Sequence, residues 1–149
     1  MKQYFVLLFL CLASCVSDPM GLTVKQYHLR ENMFDENNDL MVRGEVQRFL
    51  HGAVTQEERL QKVGQYYHLI WKQRADKARN VEFLFEYLQA GSGSSVKRMT
   101  QKGTVISQAD AYFTITGHDY QKNGRVLAWR ASVMREGKVI ATKRSYLWR

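Results

Sequence analysis

Residues 125–149 read Arg-Val-Leu-Ala-Trp-Arg-Ala-Ser-Val-Met-Arg-Glu-Gly-Lys-Val-Ile-Ala-Thr-Lys-Arg-Ser-Tyr-Leu-Trp-Arg. Glu136-Gly137 interrupts two apolar-rich runs of strand character and marks a hairpin. With a two-residue turn, Val133 faces Ile140, Trp129 faces Arg144 and Leu127 faces Tyr146. That register gathers Leu127, Trp129, Val133, Ile140 and Tyr146 on one apolar side, which is therefore the inward one. It also sets up two cross-strand cation–π pairs, Trp129 with Arg144 and Arg125 with Trp148. On the other side Arg130 meets Lys143, a like-charge pair tolerable only in water.

Upstream, Asn123-Gly124 is the strongest short-range hairpin signal in the chain, since both residues tolerate positive φ. Carrying the register across it sets Tyr120 opposite Leu127 and His118 opposite Trp129. Phe113 and Ile115 then point outward unless a bulge intervenes, and Gly117 is suited to one. The spacing predicts that bulge.

Further back, Tyr67, Leu69 and Trp71 alternate with Tyr66, His68 and Ile70, the period of a strand. Val81, Phe83, Phe85 and Tyr87 form an apolar face, with Glu82 and Glu86 on the exposed opposite one. Gly91-Ser92-Gly93-Ser94-Ser95 is a loop, residues 96–101 suit a short edge strand, and 112–116 a further strand. Before these, Val42, Val46, Phe49 and Leu50 fit a helical stripe over 40–50, with Gly52 at its end. Thr55-Gln56-Glu57-Glu58 matches a capping box and opens a second short helix over 56–62.

The predicted class is mainly β: an immunoglobulin- or fibronectin-like antiparallel sandwich of five or six strands after a short helical segment. A single curved sheet packed on the helices is the alternative. A membrane-spanning barrel needs at least eight strands and is disfavoured. With 149 residues there is room for one domain, placed at 39–149. Residues 15–38 read as a tether and a wrap: Leu22, Val24, Tyr27, Leu29, Met33 and Phe34 are too apolar for a free linker.

The formal net charge is +8, which favours acidic partners. Met1-Lys2-Gln3 followed by the apolar run from Tyr4 to Leu12 reads as a secretory leader over 1–14. That run is about half the length needed to span a bilayer as a helix. It ends in Leu12-Ala13-Ser14-Cys15, which resembles the lipobox of bacterial lipoproteins processed by signal peptidase II. Small residues let a peptidase hold the extended chain, and the thiol of Cys15 is the nucleophile that takes a diacylglycerol. The resemblance implies cleavage before Cys15, lipidation there, and a partner in membrane lipid; several acyl chains anchor firmly where one binds marginally. Since Cys11 leaves with the leader, no disulfide remains. Val16, rather than aspartate, follows the cysteine. By the enterobacterial sorting pattern this implies the periplasmic face of the outer membrane. The Gly64-Gln65-Tyr66-Tyr67 and Leu127-Ala128-Trp129-Arg130 strands also resemble those of small envelope lipoproteins, over roughly residues 40–149. That likeness brings no activity with it.

No catalytic constellation stands out. His28, His51, His68 and His118 are scattered and lack metal-ligand spacing. Asp35, Asn37 and Asp39 alternate like the start of a calcium loop, but Leu40 and Val46 occupy its glycine and glutamate places, so a turn is expected. Glu82 and Glu86 lie about 13 Å apart along a strand. No phosphate loop, dinucleotide fingerprint or nucleophile elbow is present, and no cofactor is implied. One constellation has functional promise: the basic and aromatic residues of the last hairpin, with Arg125, Arg130, Lys143 and Arg149 as ligand-binding candidates beside Trp129, Arg144 and Trp148. If Trp129 and Trp148 are core, the charges merely solubilise an outer face. Otherwise the arginines meet phosphate or carboxylate and a tryptophan stacks on a sugar. Two functions follow as expectations. The first is a lipid-anchored, non-catalytic accessory domain binding an envelope protein or anionic cell-wall polymer. The second is a glycan-binding or hydrolytic envelope module using this hairpin. Nucleic acid is disfavoured by location.

Overall fold

A computed structural model describes residues 21–35, 37–73 and 79–149. The leader, Cys15 and the residues between Cys15 and Gly21 lie outside the described part. Seven strands alternate along the chain with three short helices. They are β1 (Leu22–Leu29), α1 (Leu40–Leu50), α2 (Gln56–Lys62), β2 (Gly64–Lys72), β3 (Arg79–Gln89), β4 (Lys97–Val105), β5 (Gln108–Thr116), α3 (Gly117–Asn123), β6 (Val126–Arg135) and β7 (Lys138–Arg144). All pairings are antiparallel, in a three-stranded sheet ordered β1-β2-β5 and a four-stranded sheet ordered β4-β3-β6-β7. The chain changes sheet three times after β2, and the result is the expected mainly-β sandwich.

The sheets meet through the alternate residues of each strand. Tyr67, Leu69 and Trp71 from β2, with Ala111, Phe113 and Ile115 from β5, face Val81, Phe83, Phe85 and Tyr87 from β3. Phe85 is fully buried at the centre. Its ring lies 4.6 Å from Tyr67, 5.3 Å from Phe113 and 6.2 Å from Trp129, centroid to centroid. Gln65 adds a polar tie between sheets, its buried side-chain oxygen accepting the Val126 amide at 2.5 Å.

Both N-terminal helices form where the periodicity places them. Thr55 accepts from the Glu58 amide while Glu58 accepts from the Thr55 amide, completing the capping box of α2. The acidic turn before α1 is a turn: Asp35 accepts from the Asn37 amide and Asp39 caps the helix through the Met41 amide.

Several expectations require correction. There are seven strands, not five or six, because residues 22–29 of the wrap pair with β2 along their whole length. In β1 polar and apolar residues share both faces, so no period of two stands out. Residues 96–101 were expected to give a short edge strand; β4 runs from Lys97 to Val105 instead. Asn123-Gly124 is not a hairpin turn. It is the end of α3, with Gly124 at φ +72° and its amide donating to Tyr120 O at 2.8 Å. The connection from β5 to β6 crosses between sheets about 10 Å apart, which a two-residue turn cannot do. Tyr120 and His118 therefore sit on α3 and do not pair with Leu127 and Trp129. Gly117 opens that helix and makes no bulge; Phe113 and Ile115 face the core because β5 pairs with β2 and owes no register to β6.

The final hairpin turns at Glu136-Gly137 as read, with φ of 50° and 76°. Its register then slips, because Ile140 is a bulge: Met134 pairs with Val139 but Val133 pairs with Ala141. Ala141 enters the core, while Leu127, Ile140 and Tyr146 are exposed, so the inward set shrinks to Val133 and a partly buried Trp129. Arg130 faces Arg144, not Lys143. Among the described residues, cation–π contacts form between Arg130 and Trp148 at 5.2 Å and between Arg135 and Trp71 at 5.6 Å, neither of them an expected pair.

Two glycines test this packing in opposite directions. Gly64, at φ +150°, has Ile115 O only 2.2 Å from where a Cβ would sit. Gly64→Ala is expected to destabilise the fold by more than about 3 kcal/mol in chemical denaturation. Gly44 lies inside α1 with nothing near its missing Cβ. Gly44→Ala is expected to stabilise by about 0.5–1 kcal/mol.

Candidate binding surfaces

The outer face of the four-stranded sheet carries one side chain out of keeping with a solvated surface. Glu86, expected on an exposed face, is 2% exposed. Pairing puts Arg98 of β4, Glu86 of β3, Arg130 of β6 and Arg144 of β7 in one row across the strands. Arg98 Nε donates to Glu86 Oε1 at 2.9 Å, and Arg130 donates to Oε2 through Nε at 2.6 Å and Nη2 at 2.5 Å. Burial works against the charge on Glu86. Hydrogen bonds and attraction from Arg130 and Arg98 outweigh it and hold the carboxyl below the ordinary glutamate value. Trp148 lies under the Arg130 guanidinium and is nearly buried. Its position is set by the chain end: Ser145 donates its amide to Trp129 O at 2.9 Å and accepts the Trp129 amide on Oγ.

Two guanidiniums thus hold one carboxylate, with Arg144 next in the row beyond Arg130, leaving this row two positive charges in excess. Arg98 and Arg130 keep substantial exposure, 69% and 43% of their side chains, and Arg144 is exposed. Such a row can take a carboxylate or phosphate from a partner through the N–H groups turned away from Glu86.

Of the four ligand-binding candidates named from sequence, only Arg130 belongs to this cluster, together with Arg144 and Trp148, which were named beside them. Arg125 is exposed at the junction of α3 and β6, where its carbonyl accepts from the Ala90 amide. Lys143 is half-buried opposite Ala131, on the side of the sheet that faces the other sheet. Arg149 is exposed at the chain end. Cys15 lies outside the described residues. Trp129 turns inward against Tyr67 and Phe85, while Trp148 covers the outer face. Sequence reading missed Arg98 and Glu86. The one available signal was a glutamate flanked by Phe85 and Tyr87, whose burial depended on arginines from two other strands.

A second surface lies on the opposite side of the molecule. Helix α1 crosses the outer face of the three-stranded sheet, its Phe49 ring stacked on Tyr27 at 4.1 Å and tilted against Tyr66 at 4.6 Å. Beside this contact a cleft of about 320 Å³ opens between α1 and the strands. His68 and Tyr112 form its far wall, stacked at 4.2 Å and within 11° of parallel. Asp110 holds His68 at 3.3 Å. Tyr66 donates its hydroxyl to Lys62 O at 2.5 Å, and burial, helped by neighbouring Tyr27, pushes its pKa up to about 12. The alternation in the sequence put Tyr66 and His68 on one face of a strand, but nothing in it said that α1 would lie over that face or that Tyr112 would stand beside it.

Among the described residues, no three His, Cys, Asp or Glu side chains gather as a metal-binding group, and no helix is long and apolar enough to cross a membrane.

Removing Arg130 deprives Glu86 of its closest partner and Trp148 of its cation. Arg130→Ala is expected to cost about 2 kcal/mol, and Arg98→Ala under about 1 kcal/mol because Arg98 is more exposed. Since the folded-state pKa of Glu86 is depressed, its contribution is complete above the unfolded value and is lost as pH falls through the folded one. In denaturation series from about pH 6 to pH 3, the advantage of the native protein over Glu86→Gln should therefore shrink below about pH 4.

A comparison of the chain with protein-family models, with curated proteins and with solved structures finds no match in any of the three.

Proposed function

We propose that the chain is a lipid-anchored lipoprotein of the cell envelope, held through acylated Cys15, and that its sandwich is a non-catalytic binding module. The anchor rests on Leu12-Ala13-Ser14-Cys15 at the end of the apolar leader. Val16 after the cysteine favours the periplasmic face of the outer membrane. Six residues separate Cys15 from Leu22, the first residue of β1, so the start of that strand stays within about 25 Å of the lipid surface. At that range it meets neighbouring envelope proteins and anionic cell-wall polymer.

The observation that carries the binding role is the cross-strand row of Arg98, Arg130 and Arg144, which holds only the one carboxylate of Glu86. A cation cluster built only to neutralise one buried carboxylate needs one arginine. The surplus on an accessible sheet face suits an anionic partner. Binding of that kind gains much of its strength and speed from long-range attraction, so it weakens with salt. The hairpin's candidate role in glycan binding passes, on this reading, from Arg125, Lys143 and Arg149 to Arg98 and Arg144 beside Arg130.

Two measurements test the proposal. Metabolic labelling with a radioactive fatty acid should mark the native protein and leave Cys15→Ala unlabelled, with the variant lost from the membrane fraction. A native protein without label, recovered in the soluble fraction, would sink the anchor. Separately, Arg98→Glu with Arg144→Glu should reduce retention on immobilised anionic cell-wall polymer at least tenfold at low salt. Unchanged retention would remove the arginine row from the binding role.

A further inference from the structure

We infer that the cleft between α1 and the outer face of the three-stranded sheet is a binding site for a neutral pyranose sugar. This site lies on the face opposite the arginine row, and its case stands whether or not Cys15 carries lipid.

The ligand class follows from what the cleft combines. Tyr112 projects from β5 with 61% of its surface exposed, yet its ring has a fixed stacking partner. His68 on the neighbouring strand stacks against one face of it, and Asp110, two residues before Tyr112 on β5, holds His68 in place. The Tyr112 amide is held as well, donating to Gln101 Oε1 at 2.9 Å. An exposed aromatic ring braced in this way presents a rigid apolar face at low cost in conformational entropy on binding. Opposite it, Phe49 on the helix is packed against Tyr27 and Tyr66, so the apolar surfaces sit on both walls. A hydrocarbon would satisfy such walls, but it would strip water from the charged groups at the mouth without replacing their hydrogen bonds.

Those groups identify the occupant. Lys25 on β1 and Arg48 on α1 supply donors, and Glu45 on α1 supplies an acceptor. Asp110, outside the lining but bound to His68, adds a second carboxylate near the two cations, so the cleft has little net charge to favour an anion. This contrasts with the arginine row. A pyranose fits both requirements. The axial C–H groups of its faces lie against aromatic rings, while its equatorial hydroxyls, each a donor and an acceptor, point around the ring edge to Lys25, Arg48 and Glu45. The volume of about 320 Å³ is at the lower end of the range for small-ligand pockets and suits one or two sugar rings. The site draws on β1, β2, β5 and α1, so it exists only in the assembled fold.

Isothermal titration calorimetry and saturation-transfer NMR on the full chain, in zwitterionic micelles free of sugar headgroups, test the inference. The probes are cellobiose, maltose and N,N′-diacetylchitobiose, with glucuronic acid as the charged control. At least one neutral disaccharide should bind, with saturation transfer to its ring protons. Tyr112→Ala, a substitution at an exposed position, should weaken that binding at least tenfold while leaving the denaturation midpoint unchanged. Arg98→Glu on the opposite face should have no effect on it. The inference is overturned if none of the three disaccharides binds, if Tyr112→Ala binds as tightly as the native protein, or if glucuronic acid binds more tightly than the neutral sugars.

Discussion

The contact on which the rest depends is the meeting of aromatic rings between the two sheets. Phe85 stands at its centre, with Tyr67 and Phe113 reaching it from the opposing sheet and Trp129 from the neighbouring strand. The described residues contain no cysteine, so no disulfide shares the work of holding the sheets together. Such domains rely on close packing in the interior, and an aromatic residue at this position is worth about 3–5 kcal/mol against alanine. With the inter-sheet spacing fixed by these rings, each sheet has one free outer face, and both candidate surfaces lie there.

The two outer faces are finished differently. On the three-stranded sheet, α1 lies across the strands and touches them through Phe49, covering Tyr27 and Tyr66 while leaving Tyr112 open beside them. Partial cover makes a cleft, where full cover would make a core. On the four-stranded sheet, among the described residues, no helix lies over the row at Glu86. The cover is the chain end itself, where Trp148 and Arg130 close over the carboxylate. A buried carboxylate is tolerated only when its charge is paired and its oxygens are occupied, and here both are engaged by arginines. The same arginines give that face its positive surplus, so a structural need and a binding capacity arise from one cluster.

A smaller polar network secures the end of the sandwich where the chain crosses from β5 to β6. Gln89, fully buried, donates to Gly124 O at 2.9 Å and accepts from Lys97 at 2.8 Å, and Lys97 also pairs with Asp119. His28 meets the Tyr120 hydroxyl at 2.6 Å, and burial, with Arg30 and Arg125 nearby, lowers its pKa. These bonds fasten α3 across the gap between sheets and explain why the Asn123-Gly124 dipeptide ends a helix there.

Local chemistry determined much of this protein without reference to the fold. The alternation in 65–71 and 81–87 specified strands with an apolar face, the stripe in 40–50 specified a helix, Thr55 to Glu58 capped another, and Glu136-Gly137 made a tight turn. Each of those signals is complete within a few residues, because backbone period, cap and turn all depend on near neighbours. Tertiary structure alone decided the bulge at Ile140, the helix after Gly117, the burial of Glu86 and the place of α1 over Tyr66 and His68. Every one of these depends on which distant strand supplies the facing side chains. Arg98 lies 12 residues from Glu86 and Arg130 lies 44, and no pattern around Glu86 announces either. Burial is a property of both sides of a contact, and the chain near one side carries no record of the other.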